Sequence, residues 1–447
     1  MHDLLTQSSA VATDFQSAED HNLGHLEQRL QKPVSQFVAK VMEKAAQRKA
    51  GQAPPKCPAC GRKLTRRQKL ERTIQTGQGE IKVTRVRGWC SKCQKWFCPG
   101  DEARGVESGY SPFVQEMAAL FASKMPLAEA SAVLERATGI KLPPTTLDRV
   151  AKQAAQKALD KRKKMDAQAV AGGEGLAGQK AAKPPSTLFI LLDAWNIRER
   201  DDFGRSQAMR KKGLEPKRWP WVWMGTVFGL EHRVKKGDRP LITHRRYVAT
   251  RGGLDALREQ LHAEALRHGL GQVERVVVMG EGAAWIWNLA RDRFQEAVQR
   301  IDLYHIKQHL WTAAKELHPD DPAQAALWVR QMKQRLKRGQ AGKVIAHLEE
   351  AVRDLETLHQ EAVSKEIDYL KEHAHRLDYG QARQRHEPCG TGAIESTCRQ
   401  YQCRFKRPGQ FWSQQGDEGL LCLETFWRNN RWSELFPHVK NFDPSKN

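Results

Sequence analysis

Apolar and polar positions follow different rhythms along this chain, and each rhythm predicts a different kind of element. Thr187-Leu-Phe-Ile-Leu-Leu192 is a short continuous apolar run, as in a strand buried on both faces, and it ends at Asp193. Trp221 to Leu230 and Arg245 to Ala249 predict two more strands and Leu254 to His268 an amphipathic helix. Val273 to Gly280 predicts a fourth strand, ending at Glu281. Upstream, Phe113 to Ser123 and Leu127 to Ala137 are apolar at helical spacing. Thr138-Gly139 then turns the chain, and Leu142-Pro-Pro-Thr-Thr opens a third helix with capping threonines and early prolines. Leu310 to Arg385 is long, highly charged and leucine-bearing in helical periodicity. Met1 to Ala53 is weakly patterned, helical only from Val34 to Arg48.

At 447 residues the chain has room for two or three domains with cores of their own. Lys161 to Ser186 is charged, then Gly/Ala-rich, then Lys-Pro-Pro, which predicts a flexible linker. The predicted organisation is an unassigned N-terminal arm (1–55), a cysteine-bearing ribbon (56–105), a three-helix segment (106–160) and the linker (161–186). A strand-rich core follows (187–309), then a helical insertion (310–388) and the last helices and tail (389–447). The net charge of +22 is expected to attract a polyanion, nucleic acid first. No hydrophobic run approaches the ~20 apolar residues of a membrane span, and Met1 to Ser35 lacks a signal-peptide pattern, so the expected setting is soluble and cytoplasmic, with no membrane partner.

Two Cys-x-x-Cys pairs, Cys57/Cys60 and Cys90/Cys93, flank a β-like segment, a spacing that brings four thiolates around one Zn²⁺ as in a zinc ribbon. Cys98 reads as a packed thiol. Arg62, Lys63, Arg66 and Arg67 crowd the ribbon and are candidates for phosphate contact, with a solvated charged face as the alternative. The three helices fit a helix-turn-helix in which Thr145, Thr146 and Arg149 face the major groove. A plain three-helix packing unit fits them too. In the insertion, Trp311, Trp328, Lys315, Lys333, Arg335 and Lys337 are candidates to line a DNA channel, against a solvated bundle.

Cys389-Gly390-Thr391-Gly392 reads as a glycine turn opening a helix whose first turn carries Glu395 and whose later residues, Arg399, Arg404, Lys406 and Arg407, are basic. A glutamate there ordinarily just favours the helix dipole. The order strand, strand, strand, helix, strand, helix is that of the ribonuclease H-like fold, in which adjacent first and fourth strands place their end acids side by side. With Asp193 and Glu281 so placed, Glu395 would complete a pocket for two Mg²⁺ (or Mn²⁺) ions ~3.5–4 Å apart.

The chain resembles DDE-type bacterial insertion-sequence transposases, specifically the Kra insertion-sequence family, a relative of the Mutator-like group. The resemblance rests on the ribbon through Cys93, the Leu-Asp193-Ala strand and Gly280-Glu281-Gly282-Ala-Ala-Trp-Ile-Trp287. It continues in Ile301-Asp302-Leu-Tyr-His305 and in Gly392-Ala-Ile-Glu395-Ser through Arg404 and Gly409. It implies an α/β multidomain protein with a ribonuclease H-like core carrying an all-helical insertion. It further implies Asp193, Glu281 and Glu395 as catalytic metal ligands, and His305 as a contact to the scissile phosphate or as a buried structural histidine. Arg399, Arg404, Lys406 and Arg407 would bind flanking phosphates, with duplex DNA as partner and a homodimer or higher oligomer acting on two ends. The family usually carries aspartate where this chain has Glu281. A catalytically impaired DNA-binding descendant, repressor or architectural factor, is therefore the alternative reading.

Overall fold

The computed structural model describes residues 6, 22–51, 56–172, 186–200, 206–214, 217–231 and 241–440. The predicted arm and linker thus fall partly outside the described residues. The chain divides into two units, Met1–Lys157 with Asn430–Asn447, and Ala158–Asn429. Among the described residues no helix is long and apolar enough to cross a membrane.

The first unit starts with helix α1 (Leu23–Gly51), which extends well beyond the predicted Val34–Arg48. Strands β1 (Thr65–Thr76), β2 (Gly79–Cys90) and β3 (Lys95–Phe97) form an antiparallel sheet in that order. Ala39 of α1 packs with Ile74, Ile81 and Val83 of the hairpin, while Glu43 and Gln47 accept from the backbone N–H groups of Lys82 and Thr84, each at 2.8 Å. Short helix α2 (Pro99–Ala103) carries Asp101, whose Oδ2 receives Arg72 at 2.6 Å and Arg85 at 2.7 Å. Two guanidinium groups from neighbouring strands thereby share one carboxylate and fix the helix to the hairpin.

The three predicted helices form as α3 (Pro112–Lys124), α4 (Leu127–Thr138) and α5 (Pro144–Gly172). Ser111 caps α3, and Gly139, at φ +73°, ends α4 in a left-handed conformation that glycine adopts without a Cβ penalty. Helix α5 continues through Gly172, past Lys161 where the composition predicts a linker. No glycine or proline interrupts residues 145–171, and the alanines at 151, 154, 155, 158 and 169 are both strong helix formers and buried. The unit is completed by the late helix α16 (Trp432–Leu435), from which Trp432 donates its indole N–H to buried Glu116 Oε1 at 2.8 Å.

The second unit is built on a five-stranded sheet of β4 (Thr187–Asn196), β7 (Trp221–Glu231), β8 (Leu241–Thr250), β9 (Arg275–Gly280) and β10 (Val298–Ile301). The order is β10-β9-β4-β7-β8, with β4 parallel to β9, β9 parallel to β10, and β7 and β8 antiparallel. Between β4 and β7 lie the small ribbon β5 (Glu199–Arg200) and β6 (Lys217–Arg218) and helix α6 (Ser206–Lys211). Helices α7 (Gly253–Arg267), α8 (Ala284–Arg293) and α9 (Leu303–Leu317) follow the sheet strands. Helices α10 (Pro322–Lys337), α11 (Ala341–Ala351), α12 (Thr357–Glu372) and α13 (Tyr379–Gln384) make the helical insertion. Helices α14 (Gly392–Phe405) and α15 (Gln414–Arg428) close the unit.

Alternation along the central strands sorts side chains between two cores. Leu188, Ile190 and Leu192 join Leu257, Leu261, Ile286 and the insertion's Trp328, Val329 and Met332 in one. Phe189 and Leu191 join Met224, Ile394, Cys398, Tyr401 and Phe405 in the other. Both faces of β4 are thus covered, which is why its apolar run is unbroken.

Candidate active site and metal centres

Leu191 pairs with Met279 across the parallel β4–β9 ladder, so Asp193 and Glu281 each stand two residues beyond the same rung. Asp302 caps α9, accepting from Tyr304 N–H at 2.7 Å, and its own N–H bonds to Gly280 O at 2.9 Å, tying it to the end of β9. Glu395 comes from the first turn of α14, whose preceding loop is clamped to β10. Arg300, fully buried, donates to Glu387 Oε2 at 2.7 Å and to Pro388 O at 3.0 Å, and Leu303 N–H bonds to Cys389 O at 2.9 Å. Four carboxylates from four elements are therefore gathered past the Leu191–Met279 rung, Asp193 within β4 and Glu281 just beyond β9.

Their electrostatics are those of a site short of positive charge. Burial raises the Asp193 carboxyl above its ordinary range, against a thiol hydrogen bond from Cys398 and the Ala194 N–H at 2.7 Å. Glu281 is raised by burial and then by Asp193, Glu395 and Asp302. Glu395 is raised by burial, with Asp302 and Asp193 adding to it. None of the four forms an ion pair with Lys or Arg among the described residues. The Thr391 hydroxyl lies 2.6 Å from Asp302 Oδ2 and 2.8 Å from Glu395 Oε1. One hydroxyl has one proton to give, so one of these oxygens calls for a further proton or a cation.

That donor set suits hard divalent cations such as Mg²⁺ or Mn²⁺. Among the described residues, only the four ribbon cysteines bring three or more ligand atoms within 4.8 Å of one another. The carboxylates do not close into a cage for one ion. A pair of ions ~3.5–4 Å apart draws its ligands from a wider span.

The insertion reaches this site through α12. Tyr369 Oη lies 3.5 Å from Glu281 O, and Gly282 adopts φ +101° directly beneath the phenol. Tyr369 stacks on His309 at 3.9 Å between ring centroids. His309 Nδ1 lies 2.6 Å from Glu366 Oε2, and its Nε2 lies 3.2 Å from His305 Nε2. If His309 donates from Nδ1 to Glu366, its Nε2 accepts from His305 Nε2–H. Burial and His309 hold His305 below the ordinary imidazole range, so it is neutral near pH 7. Thr391, Cys398 and Tyr369 escape sequence reasoning, since nothing in their local pattern marks them.

In the ribbon, Cys57 Sγ lies 3.9 Å from Cys93 Sγ and Cys60 Sγ 3.4 Å from Cys90 Sγ. A tetrahedron with Zn–S of ~2.3 Å has edges of roughly 3.8 Å, so the four sulfurs could hold one zinc ion. Both knuckles are tight: Gly61 N–H bonds to Cys57 O at 2.8 Å with φ +73°, and Cys93 N–H points at Cys90 Sγ at 3.5 Å. That N–H draws the Cys90 thiol down to about 6, while the hydrogen bond with Cys60 pushes Cys93 up to about 12, the uneven sharing of protons expected of crowded thiols. Cys98 lies outside the set.

Arg62, Lys63, Arg66 and Arg67 are exposed, as are Thr145 and Arg149, with Thr146 half-buried. Arg399 and Lys406 are exposed and Arg407 half-buried, donating to Cys403 O at 3.4 Å. Arg404 departs from the sequence reading. It is buried, its guanidinium 4.8 Å from the Trp412 ring and 5.6 Å from Phe405, so it holds two aromatics together and has no access to a phosphate. Trp328 is likewise in the core, donating to His347 Nε2 at 3.1 Å rather than lining a channel.

Over residues 229–433 the chain is similar to a family described as Uncharacterised protein family (UPF0236), one commonly associated with transposases. No curated protein matches it.

Proposed function

We propose that the chain is a DDE-type transposase of an insertion sequence, with a ribonuclease H-like core, that cleaves DNA at transposon ends and joins them to target DNA. The reading is carried by one observation: Asp193 and Glu281, in register along parallel neighbouring strands, share a field with Glu395 from a later helix, and none of the three pairs with a Lys or Arg among the described residues. The similarity over residues 229–433, which takes in Glu281 and Glu395, supports it.

In this reading Asp193, Glu281 and Glu395 hold two Mg²⁺ or Mn²⁺ ions, which when bound activate the attacking oxygen and stabilise the departing one. Thr391 fixes Glu395 through its hydroxyl and couples it to Asp302. His305, neutral and anchored through His309 to Glu366, lies one helical turn into α9 from Asp302. The ribbon, loaded with one zinc, and helices α3 to α5 bind the duplex of the terminal repeats through Arg62, Lys63, Arg66, Arg67, Thr145, Thr146 and Arg149. Arg399, Lys406 and Arg407 meet flanking phosphates. Two ends require a homodimer or a higher oligomer.

The competing reading, a catalytically impaired DNA-binding descendant, is favoured by Glu281. The longer side chain displaces its carboxylate by about one C–C bond, and Mg²⁺ geometry is demanding. Strand transfer with pre-cleaved ends in Mg²⁺ and in Mn²⁺ separates the two. The transposase reading expects joined product that disappears in Asp193→Ala; product that survives this substitution sinks the assignment. Joining gained only in Glu281→Asp identifies an impaired enzyme.

A further inference from the structure

Around the carboxyl end of β4 the second unit displays aromatic rings that its cores do not use. Trp219 is 51% exposed and Trp221 50% exposed, large values for indoles. Between the aromatics sits a guanidinium: Arg198 lies 4.9 Å from the Trp219 ring and 5.1 Å from the Phe411 ring. The three segments that carry these groups are tied by backbone bonds. Ile197 N–H donates to Pro220 O at 2.9 Å, and Trp412 N–H donates to Arg198 O at 3.0 Å. The rings are thus presented by a pinned backbone.

The array continues along the face of the sheet that carries Leu188, Ile190 and Leu192. Trp221 and Trp223 share one face of β7, 6.1 Å apart, and Trp223 meets Trp285 edge-on at 5.0 Å. Trp285 lies four residues after Glu281, and Trp223 pairs with Ala194, on the face of β4 opposite to Asp193. Half-open indoles interleaved with arginine offer π-faces for stacking and positive charge for a backbone. Unpaired bases fit that chemistry; a closed duplex, whose bases stack on one another, does not.

We propose that Trp219 and Trp221, with Arg198 and Phe411, form a stacking platform for unpaired nucleotides of a DNA end, so that the substrate engaged beside the carboxylates is a splayed rather than a fully paired terminus. The proposal rests on the transposase reading for its substrate but concerns binding alone.

The test is equilibrium binding of the full-length protein, with zinc and without added Mg²⁺, to a blunt duplex and to the same duplex ending in a short unpaired tail carrying 2-aminopurine. The wild-type protein is expected to prefer the tailed duplex and to quench the tail's emission. Trp219→Ala/Trp221→Ala is expected to weaken tailed-duplex binding by roughly 10-fold or more, while blunt-duplex binding changes by less than about 2-fold. Trp219→Phe/Trp221→Phe, which keeps the π-faces, should restore most of the difference. Equal affinity for the two DNAs in the wild-type protein, or an equal loss on both in the alanine variant, overturns the platform. Strand transfer retained without any tail preference removes the platform and leaves the transposase reading. Tail preference retained with no cleavage or joining under any condition does the reverse.

Discussion

Gly282→Ala probes how the helical insertion is coupled to the acids. Gly282 has φ +101°, a conformation that costs an L-residue about 1–3 kcal/mol. A Cβ there would also overlap Tyr369 Oη, with Tyr369 Cζ at 3.3 Å and Ile301 Cδ1 at 3.6 Å. Overpacking of this kind costs about 1–3 kcal/mol. The substitution should therefore destabilise the protein by about 2–6 kcal/mol. Tyr369→Phe removes the overlapping atom, and because the Oη to Glu281 O contact is long at 3.5 Å, that change alone should cost less than ~1 kcal/mol. The double variant should recover the steric part and not the backbone part, giving a coupling energy of about 1–3 kcal/mol. Urea unfolding of the four proteins, followed by far-ultraviolet circular dichroism, measures it. Coupling within ~0.5 kcal/mol of zero would show that α12 does not press on Gly282, and the geometric link from the insertion to Glu281 would fall.

Three further outcomes are expected. Chelation of zinc should open the ribbon, whose small core is little more than Cys57, Leu64 and Cys90, and red-shift the emission of Trp89 and Trp96, which meet edge-on at 5.7 Å. An unchanged spectrum with metal shown to be removed would contradict this. Mn²⁺ at about 100 times its Kd should stabilise the second unit by about 2.7 kcal/mol, a rise in Tm of roughly 5 °C by calorimetry. The raised carboxyls of Asp193, Glu281 and Glu395 favour the apo fold while protonated, below the ordinary carboxylate range, and that contribution is lost as pH rises through their raised values. The Mn²⁺ effect should accordingly be larger at pH 8 than at pH 5 and vanish in Asp193→Asn; an equal shift in that variant would place the ion elsewhere. Arg300→Ala should cost about 3–5 kcal/mol by leaving Glu387 buried without its closest partner, and Arg300→Met/Glu387→Met should regain most of it in the same urea assay. An additive loss in the double variant would mean that packing, not charge, sets the cost.

These acids are legible in this sequence because a strand covered on both faces must be apolar, so the first charge in the run is unlike its surroundings, although β4 runs three residues past Asp193 to Asn196. That logic finds Asp193 and Glu281. It finds the cysteine cluster too, because two short Cys-x-x-Cys turns leave few ways to dispose of four thiols. It fails for Arg404, whose charge reads as surface while cation–π contact with Trp412 makes the interior acceptable. It fails for the span after Lys161, where charge density reads as a linker although the alanine face keeps α5 helical to Gly172. Thr391 and Tyr369 are invisible for another reason. Thr391 meets Asp302 across 89 residues and Tyr369 meets Glu281 across 88, and no local pattern encodes a partner at such range.

The bond from Trp432 to Glu116 spans 316 residues. On a ribosome, residues 112–124 emerge and coil long before their partner has been synthesised, and until then the Glu116 carboxylate, raised by burial once packed, has only water for company. The first unit is therefore begun first and finished last, with the whole of Ala158–Asn429 made in between. The entropy of closing so long a loop grows only logarithmically with its length, so the cost is one of time rather than of stability. A chain that stalls in translation before Trp432 would carry an unfinished first unit, and a quality-control protease would meet it there.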